Sequence, residues 1–245
     1  MPLKILTFNI HKGFNWNNTK YTLKRLKKAL THIHPDIVFL QEVVGENKKH
    51  QKKFDKWIDR QFEYLAQDLW SDFSYSNHAV FDFRNHGNVI LSKYPILNTE
   101  VQDISTNHYE QRALLFSEIQ IEDKILHTYC VHLNLLHKDR IKQYEYIKDF
   151  VQSKSDNHHP ILIAGDFNDW NQKASEHFLN IDNLYDAHKF KHGFYGRTFP
   201  TLFPLLKLDR IYTKGFHILD AEVFKNKHWK SLSDHLPIYI EVEFK

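Results

Sequence analysis

The sequence predicts mixed α and β layers in one domain spanning residues 1–245, and three observations carry that expectation. Short apolar runs of strand length alternate, early in the chain, with an amphipathic helical stripe. Later runs are separated by compact turns, as in hairpins, which argues for mixed sheets rather than a purely parallel one. No linker, fixed-period repeat or shift of composition divides the chain.

In order, Leu3 to Ile10 and Asp36 to Leu40 read as strands, the second through the buried run Ile37-Val38-Phe39-Leu40. Between them Leu23, Leu26, Leu30 and Ile33 recur at spacings of three and four, one face of a helix. Thr19 or Thr22 is placed to cap that helix and Pro35 to end it. Val89 to Leu91, Leu114 to Ile121, Ile125 to His132, Ile161 to Ala164, Asp209 to Tyr212 and Ile238 to Val242 read as further strands. Glu122-Asp123-Lys124 is a turn between two of them. Ile141, Tyr144, Ile147 and Val151 form a second helical stripe. Lys48, Lys52 and Lys56, one helical turn apart, read as a solvated face.

Composition excludes several classes. Hydrophobic residues make up 42% of 245 and aromatics 15%, enough for a sizeable core and too much for disorder. The net charge of +3 with neutral histidine does not describe a nucleic-acid coat, although 18 histidines make that charge depend on pH. Cys130, the one cysteine, excludes an intramolecular disulfide framework and a cysteine-rich zinc site. The amino terminus enters a strand pattern without the apolar core of a signal peptide. No apolar run approaches the roughly 20 residues of a membrane span, so a cytoplasmic location is expected. The sequence does not specify an oligomeric state.

Polar residues interrupt the apolar runs at their ends. Asn9 follows Leu6-Thr7-Phe8, Gln41-Glu42 follows Ile37 to Leu40, and His132 follows Tyr129-Cys130-Val131. Gly165-Asp166-Phe167-Asn168 follows Ile161 to Ala164, Asp209 opens Asp209-Arg210-Ile211-Tyr212, and Ser233-Asp234-His235 precedes the last strand. Carboxylates, amides and imidazoles at strand ends converge on one rim of a sheet, where sites are built. Singly, each has a plainer reading: Asp166 with Asn168 as an Asx turn, Asp209 with Arg210 as an ion pair, His132 and His235 as ordinary histidines.

As an ordered series, Asn9, Glu42, Arg112, His132, Asp166, Asn168, Asp209, Asp234 and His235 resemble the endonuclease/exonuclease/phosphatase superfamily, which includes pancreatic deoxyribonuclease, apurinic-site endonucleases, neutral sphingomyelinases and inositol phosphatases. Thr7-Phe8-Asn9-Ile10, Leu40-Gln41-Glu42, Gly87-Asn88-Val89-Ile90-Leu91-Ser92, Val131-His132-Leu133, Leu208-Asp209-Arg210-Ile211 and Ser233-Asp234-His235 carry the likeness. Trp70-Ser71-Asp72-Phe73, Asp166-Phe167-Asn168-Asp169-Trp170 and Arg197-Thr198-Phe199-Pro200 further resemble its bacterial YbhP-like branch. The resemblance implies a four-layer α/β/β/α sandwich with the site at one end of two packed mixed sheets.

It also implies a metal-dependent hydrolase of phosphoric esters. In the family pattern Glu42, with Asn9 and Asp234, holds Mg²⁺, and Mn²⁺ can replace it; an oxygen-rich set suits these hard ions better than Zn²⁺. Asp209 and His235 would form a carboxylate–imidazole dyad, Asp166 with Asn168 would orient the attacking water, and His132 and Arg112 would bind phosphate oxygens, as would Asn168. Apurinic-site enzymes place tyrosine where this chain has His132, which points away from abasic-site repair. His32 with His34, and His158 with His159, lack accompanying ligand spacing and read as structural.

Two substrates remain open. A lipid head group or small phosphodiester is favoured by the apolar segment 194–206, which could make peripheral membrane contact. A nonspecific DNA or RNA nuclease is the alternative. A non-catalytic binding module would require a gap in the residue series, and the series has none.

Overall fold

A computed structural model describes residues 2–154, 159–178, 181 and 183–245. The chain forms β1 (Leu3–Asn9), α1 (Leu23–Ile33), β2 (Ile37–Asn47), α2 (Lys48–Lys53), α3 (Gln61–Ala66), β3 (Asp72–Phe81), β4 (Arg84–Ser92) and β5 (Ile96–Asp103). It continues through β6 (Ala113–Ile121), β7 (Lys124–His132), α4 (His137–Lys154), β8 (Ile161–Asp166), α5 (Ala174–Phe178), β9 (Tyr185–Asp186) and α6 (Ala187–His192). The last elements are β10 (Asp209–Lys214), β11 (Phe216–Val223), α7 (Lys227–Lys230) and β12 (Ile238–Phe244).

The strands make two six-stranded sheets, ordered β11-β12-β1-β2-β4-β3 and β5-β6-β7-β8-β10-β9. Each sheet has one parallel pair at its centre, β1 with β2 and β7 with β8, and antiparallel neighbours elsewhere. Parallel neighbours need a crossover, and α1 and α4 supply it.

Side-chain alternation explains why the central strands read as unbroken apolar runs. Ile5, Ile37 and Phe39 face the second sheet, meeting Leu115, Leu162 and Ile211. Leu6, Phe8, Val38 and Leu40 point the other way, under Leu23, Leu26 and Leu30 of α1 and Phe62 and Leu65 of α3. On the far side Tyr129, Val131, Ile161 and Ile163 lie beneath Tyr144, Ile147 and Val151 of α4 and Phe178 of α5. Strands covered on both faces carry no polar alternation. The layers are therefore helix, sheet, sheet, helix, as the resemblance implies.

Several expectations need correction. Thr22 precedes α1 but makes no side-chain cap; its hydroxyl donates to the carbonyls of Gly13 (3.1 Å) and Leu232 (2.7 Å). The end of that helix before Pro35 is as expected: His34 caps it in the left-handed conformation, its N–H bonded to the Leu30 carbonyl. Ile141 lies outside the α4 stripe and is exposed, whereas Arg140 is buried there and donates to the Asn134 carbonyl at 3.1 Å. The lysine helix is only the six residues of α2 and excludes Lys56. His158 lies outside the described residues, and His159 stacks on His127 at 4.5 Å.

Two features hold the site end in place. Asn88 on β4 bridges the sheets, donating through Nδ2 to the carbonyls of Ala113 (2.9 Å) and Cys130 (3.3 Å). Gly165 has φ +145°, and a Cβ there would lie 2.0 Å from the Val131 carbonyl oxygen. Only glycine lets β8 run that close to β7 one residue before Asp166.

Candidate active site

Strand direction collects the polar ends. β1, β2, β7 and β8 finish at the same end of the sandwich, where their antiparallel partners β4, β6, β10 and β12 begin. Asn9, Glu42, His132 and Asp166 therefore share a rim with Asp209 and His235.

Asp166 is the hub. Its Oδ2 accepts from Asn9 Nδ2 at 3.0 Å and lies 3.5 Å from His132 Nε2 and 3.6 Å from His235 Nε2. Its Oδ1 accepts from the Asn168 N–H at 2.9 Å, the predicted Asx turn used inside the cluster. Asn168, at φ +46°, turns its amide inward to donate to the Leu133 carbonyl at 2.8 Å. His235 Nδ1 meets Asp209 Oδ2 at 2.9 Å, and the Thr198 hydroxyl donates to the same oxygen at 2.5 Å. The Phe199 ring packs 4.9 Å from His235.

Glu42 stands in a break of the β2–β4 ladder with φ +57°, which turns its carboxylate out of the strand. Asn9 Nδ2 reaches Glu42 Oε1 at 3.4 Å, and Lys12 Nζ lies 2.5 Å from Oε2. Two residues fall away from the expected groupings. Asp234 faces His11 Nδ1 at 3.4 Å, and among the described residues no hydrogen bond or ion pair joins it to Glu42. Arg112 pairs with Glu110 at 3.3 Å, leaving its Nε buried without a partner, yet its charge is felt at His132.

The environment divides the titrating groups. Burial alone would lower His235, but Asp209 and Asp166 outweigh it and push the ring up to about 10. Burial, with Arg112 beside it, pushes His132 down to about 3 despite Asp166 and Glu42. Burial works against ionised Glu42, yet Lys12, then His132 and His86, hold it well below the carboxylate range. At neutral pH the cluster thus contains an imidazolium and a neutral imidazole facing one carboxylate.

A hard divalent cation fits the Glu42 corner. The Glu42 carboxylate is the oxygen donor there and already takes a cation, the Lys12 ammonium. Asn9 turns its Nδ2 toward Glu42 and its Oδ1 accepts the His11 N–H at 3.0 Å, so Asn9 would join a cation only with its amide turned over. Asp166, Asp209 and His235 also bring ligand atoms within 4.8 Å of one another. Both His235 nitrogens face carboxylates as donors, so that group is a hydrogen-bonded chain rather than a cage for an ion.

Lys12, Thr198 and His86 went unread as site residues. Lys12 follows Asn9 in Ile10-His11-Lys12-Gly13, where positive φ at His11 and Lys12 bends the chain back over the strand end. Thr198 lies within Arg197-Thr198-Phe199-Pro200. His86 immediately precedes Gly87-Asn88 and is pushed down to about 4 by burial and Lys12.

Stability should record these buried neutral rings. A histidine held near 3 keeps its full contribution above its ordinary 6.5 and loses it as pH falls, because the unfolded chain protonates first. For buried His132 this amounts to about 2 kcal/mol between pH 7.5 and pH 5. His78, pushed to about 3 by burial with His86 and Arg112 nearby, adds in the same direction. His235, held up near 10, gains about 1 kcal/mol over the same range and offsets part of this loss. His132 and His78 together outweigh it, so thermal melts in EDTA should show a Tm roughly 5–10 °C lower at pH 5 than at pH 7.5; an unchanged Tm would mean that these rings are already protonated in the fold.

A two-sheet sandwich carrying an acid–imidazole cluster at the ends of its parallel pairs defines the deoxyribonuclease-like class of α/β proteins. The sequence profile described as Endonuclease/Exonuclease/phosphatase family matches residues 6–235, and the chain belongs to that family. It is 40% identical to the protein YbhP of Escherichia coli over 242 residues, 98% of this chain and 95% of that one. Among solved structures, the Beutenbergia cavernae family member superposes with a TM-score of 0.78 at 19% identity, covering 99% of this chain and 72% of that one. D. rerio TDP2, solved with a single-strand DNA product, gives 0.74 at 18% identity over 99% of both chains. Members of the family are in general divalent-metal-dependent phosphoesterases and nucleases. No helix among the described residues is long and apolar enough to cross a membrane.

Proposed function

We propose that this protein is a Mg²⁺- or Mn²⁺-dependent phosphodiesterase that cleaves a P–O bond by in-line attack of water. The observation that carries the reading is the unbroken chain Thr198–Asp209–His235–Asp166–Asn9–Glu42, joined by the distances given above. A cation held at Glu42, with the Asn9 amide turned over to offer its oxygen, would neutralise phosphoryl oxygens and support the departing oxygen.

The chain's own residues do the rest. Asp166 is the acceptor toward which Asn9, His132 and His235 converge, the geometry needed to orient a water and take its proton. His235, clamped between two carboxylates, presents a fixed positive charge to the developing phosphorane. The Arg112 fork, one nitrogen of which pairs with Glu110, is a donor for the non-bridging oxygens. Neutral His132, whose single N–H is directed at Asp166, lines the same oxygens and would donate to them once that N–H turns from the carboxylate.

A lipid head group or a small phosphodiester is the favoured substrate. Its support is Leu202, Phe203 and Leu205, exposed on the same segment whose Phe199 packs on His235. The nuclease reading draws on the DNA-bound fold neighbour and on Trp170, half exposed and edge-on to Phe199 at 6.3 Å.

Bis-p-nitrophenyl phosphate should be hydrolysed with Mg²⁺ or Mn²⁺ and not in EDTA. Glu42→Gln should raise the metal concentration needed for half activity at least tenfold. A panel of phospholipid vesicles, inositol phosphates, plasmid DNA and RNA, with His235→Ala beside each, decides the substrate. Wild-type turnover by His235→Ala would sink the mechanism.

A further inference from the structure

Beside the site lies a cavity of about 350 Å³ lined by Phe194, Arg197, Lys207 and Lys225. Three cations surround it and no carboxylate does. Arg197 and Lys225 make no hydrogen bond or ion pair among the described residues, and Lys207 donates only to the Gln172 side chain at 2.8 Å. The acids of this region are engaged elsewhere: Asp169 and Asp186 face buried Arg210 at 3.4 and 3.7 Å, Asp209 holds His235, and Asp234 faces His11. Burial, then the charges of Arg197 and Arg210, hold the Lys207 ammonium below its ordinary pKa. Like charges gathered without a counter-ion call for an anion.

The surroundings choose among anions. Leu202, Phe203 and Leu205 stand 51, 71 and 55% exposed on the segment between Arg197 and Lys207. The Phe199–Leu206 bridge closes that segment into a projecting loop. Apolar tips rising from a basic base match an anionic bilayer, where lysine and arginine meet phosphates while apolar side chains pass below the head groups.

We propose that the Arg197–Lys207–Lys225 cavity binds the phosphate of an anionic phospholipid, with Leu202, Phe203 and Leu205 entering the acyl boundary. The surface docks the protein so that the Asp166 cluster faces the lipid head groups. The inference deepens the lipid branch of the proposed function, but docking itself needs no turnover.

The test is sedimentation of the full chain, in EDTA, with vesicles of phosphatidylcholine alone or with phosphatidylglycerol. Binding is expected only with phosphatidylglycerol. Each basic residue at an anionic surface contributes roughly fivefold, so R197E/K225E should weaken binding at least tenfold. The exposed single change K225E, judged folded by its melt, should weaken it several-fold should the double variant misfold, and so should Phe203→Ser. Turnover of bis-p-nitrophenyl phosphate should stay at the wild-type level in all three. Absence of wild-type binding, or binding indifferent to K225E, overturns the proposal. So does complete displacement by inorganic phosphate, which marks a soluble-phosphate site, or displacement by a single-stranded oligonucleotide, which marks a nucleic-acid track. Loss of phosphodiesterase activity with vesicle binding intact would sink the catalytic reading alone.

Discussion

Asp166→Ala should lower kcat on a phosphodiester by about 10³–10⁴-fold, the scale expected when an acid–base group and the orientation of its neighbours are lost together. The same carboxylate takes the Asn9 amide at 3.0 Å, faces two imidazoles at 3.5 and 3.6 Å, and accepts the Asn168 N–H at 2.9 Å. Removing it frees His132 and His235 from their shared partner and unlatches the Asx turn. KM should change far less, because the Arg112 fork remains for the phosphate and the His132 N–H is released to it. Asp166→Asn separates the contributions: it keeps the shape and one acceptor while removing the charge, and should lose nearly as much activity with a smaller loss of Tm. Steady-state kinetics at saturating Mn²⁺ beside thermal melts make the comparison. An Asp166→Ala variant within tenfold of wild type would assign the water to another carboxylate.

Much of this arrangement was legible because burial erases ambiguity. Strands covered on both faces, such as β1, β2 and β8, show as apolar runs, and the site residue follows each run within two positions: Asn9 after Phe8, Glu42 after Leu40 and Asp166 after Ala164. Edge strands gave no such signal. β5 is exposed along Leu97-Asn98-Thr99 and only then alternates, β11 alternates mostly between half-buried and exposed, and neither offers an apolar run that reads as a strand. Lys12 has no strand-end position to mark it, because a bend of positive φ, not a spacing, brings it onto Glu42. Thr198 stands within the segment Arg197-Thr198-Phe199-Pro200, but its role comes from the bridge between Phe199 and Leu206, which folds it back onto Asp209. Asp234 shows the converse. It follows the motif order, yet it stands beside His235 in a loop where its own side chain turns to His11 rather than to Glu42.

Asp209→Asn should lower kcat by roughly 10³–10⁴-fold, the loss expected where a buried carboxylate orients an imidazole and supports its charge. Asp209 is fully buried and its Oδ2 takes both His235 Nδ1 and the Thr198 hydroxyl, while Oδ1 has no partner. An amide fills the same volume. It leaves His235 with a neutral neighbour or, in the flipped orientation, with a donor facing a donor. In either case the largest influence opposing burial at His235 disappears, and its pKa must fall from about 10. The sign of the linkage follows. In wild type the stability from His235 is complete below its ordinary 6.5 and is lost as pH rises toward 10, so the melts of wild type and variant should converge at alkaline pH. Histidine NMR titration reads the same shift directly. Thr198→Val controls for packing alone: it removes one hydrogen bond from Asp209, leaves the carboxylate on His235, and should cost no more than about tenfold in kcat. If Asp209→Asn behaved like Thr198→Val, the charge on His235 would have no part in the chemistry, and the imidazole would act only as a neutral donor placed by the fold.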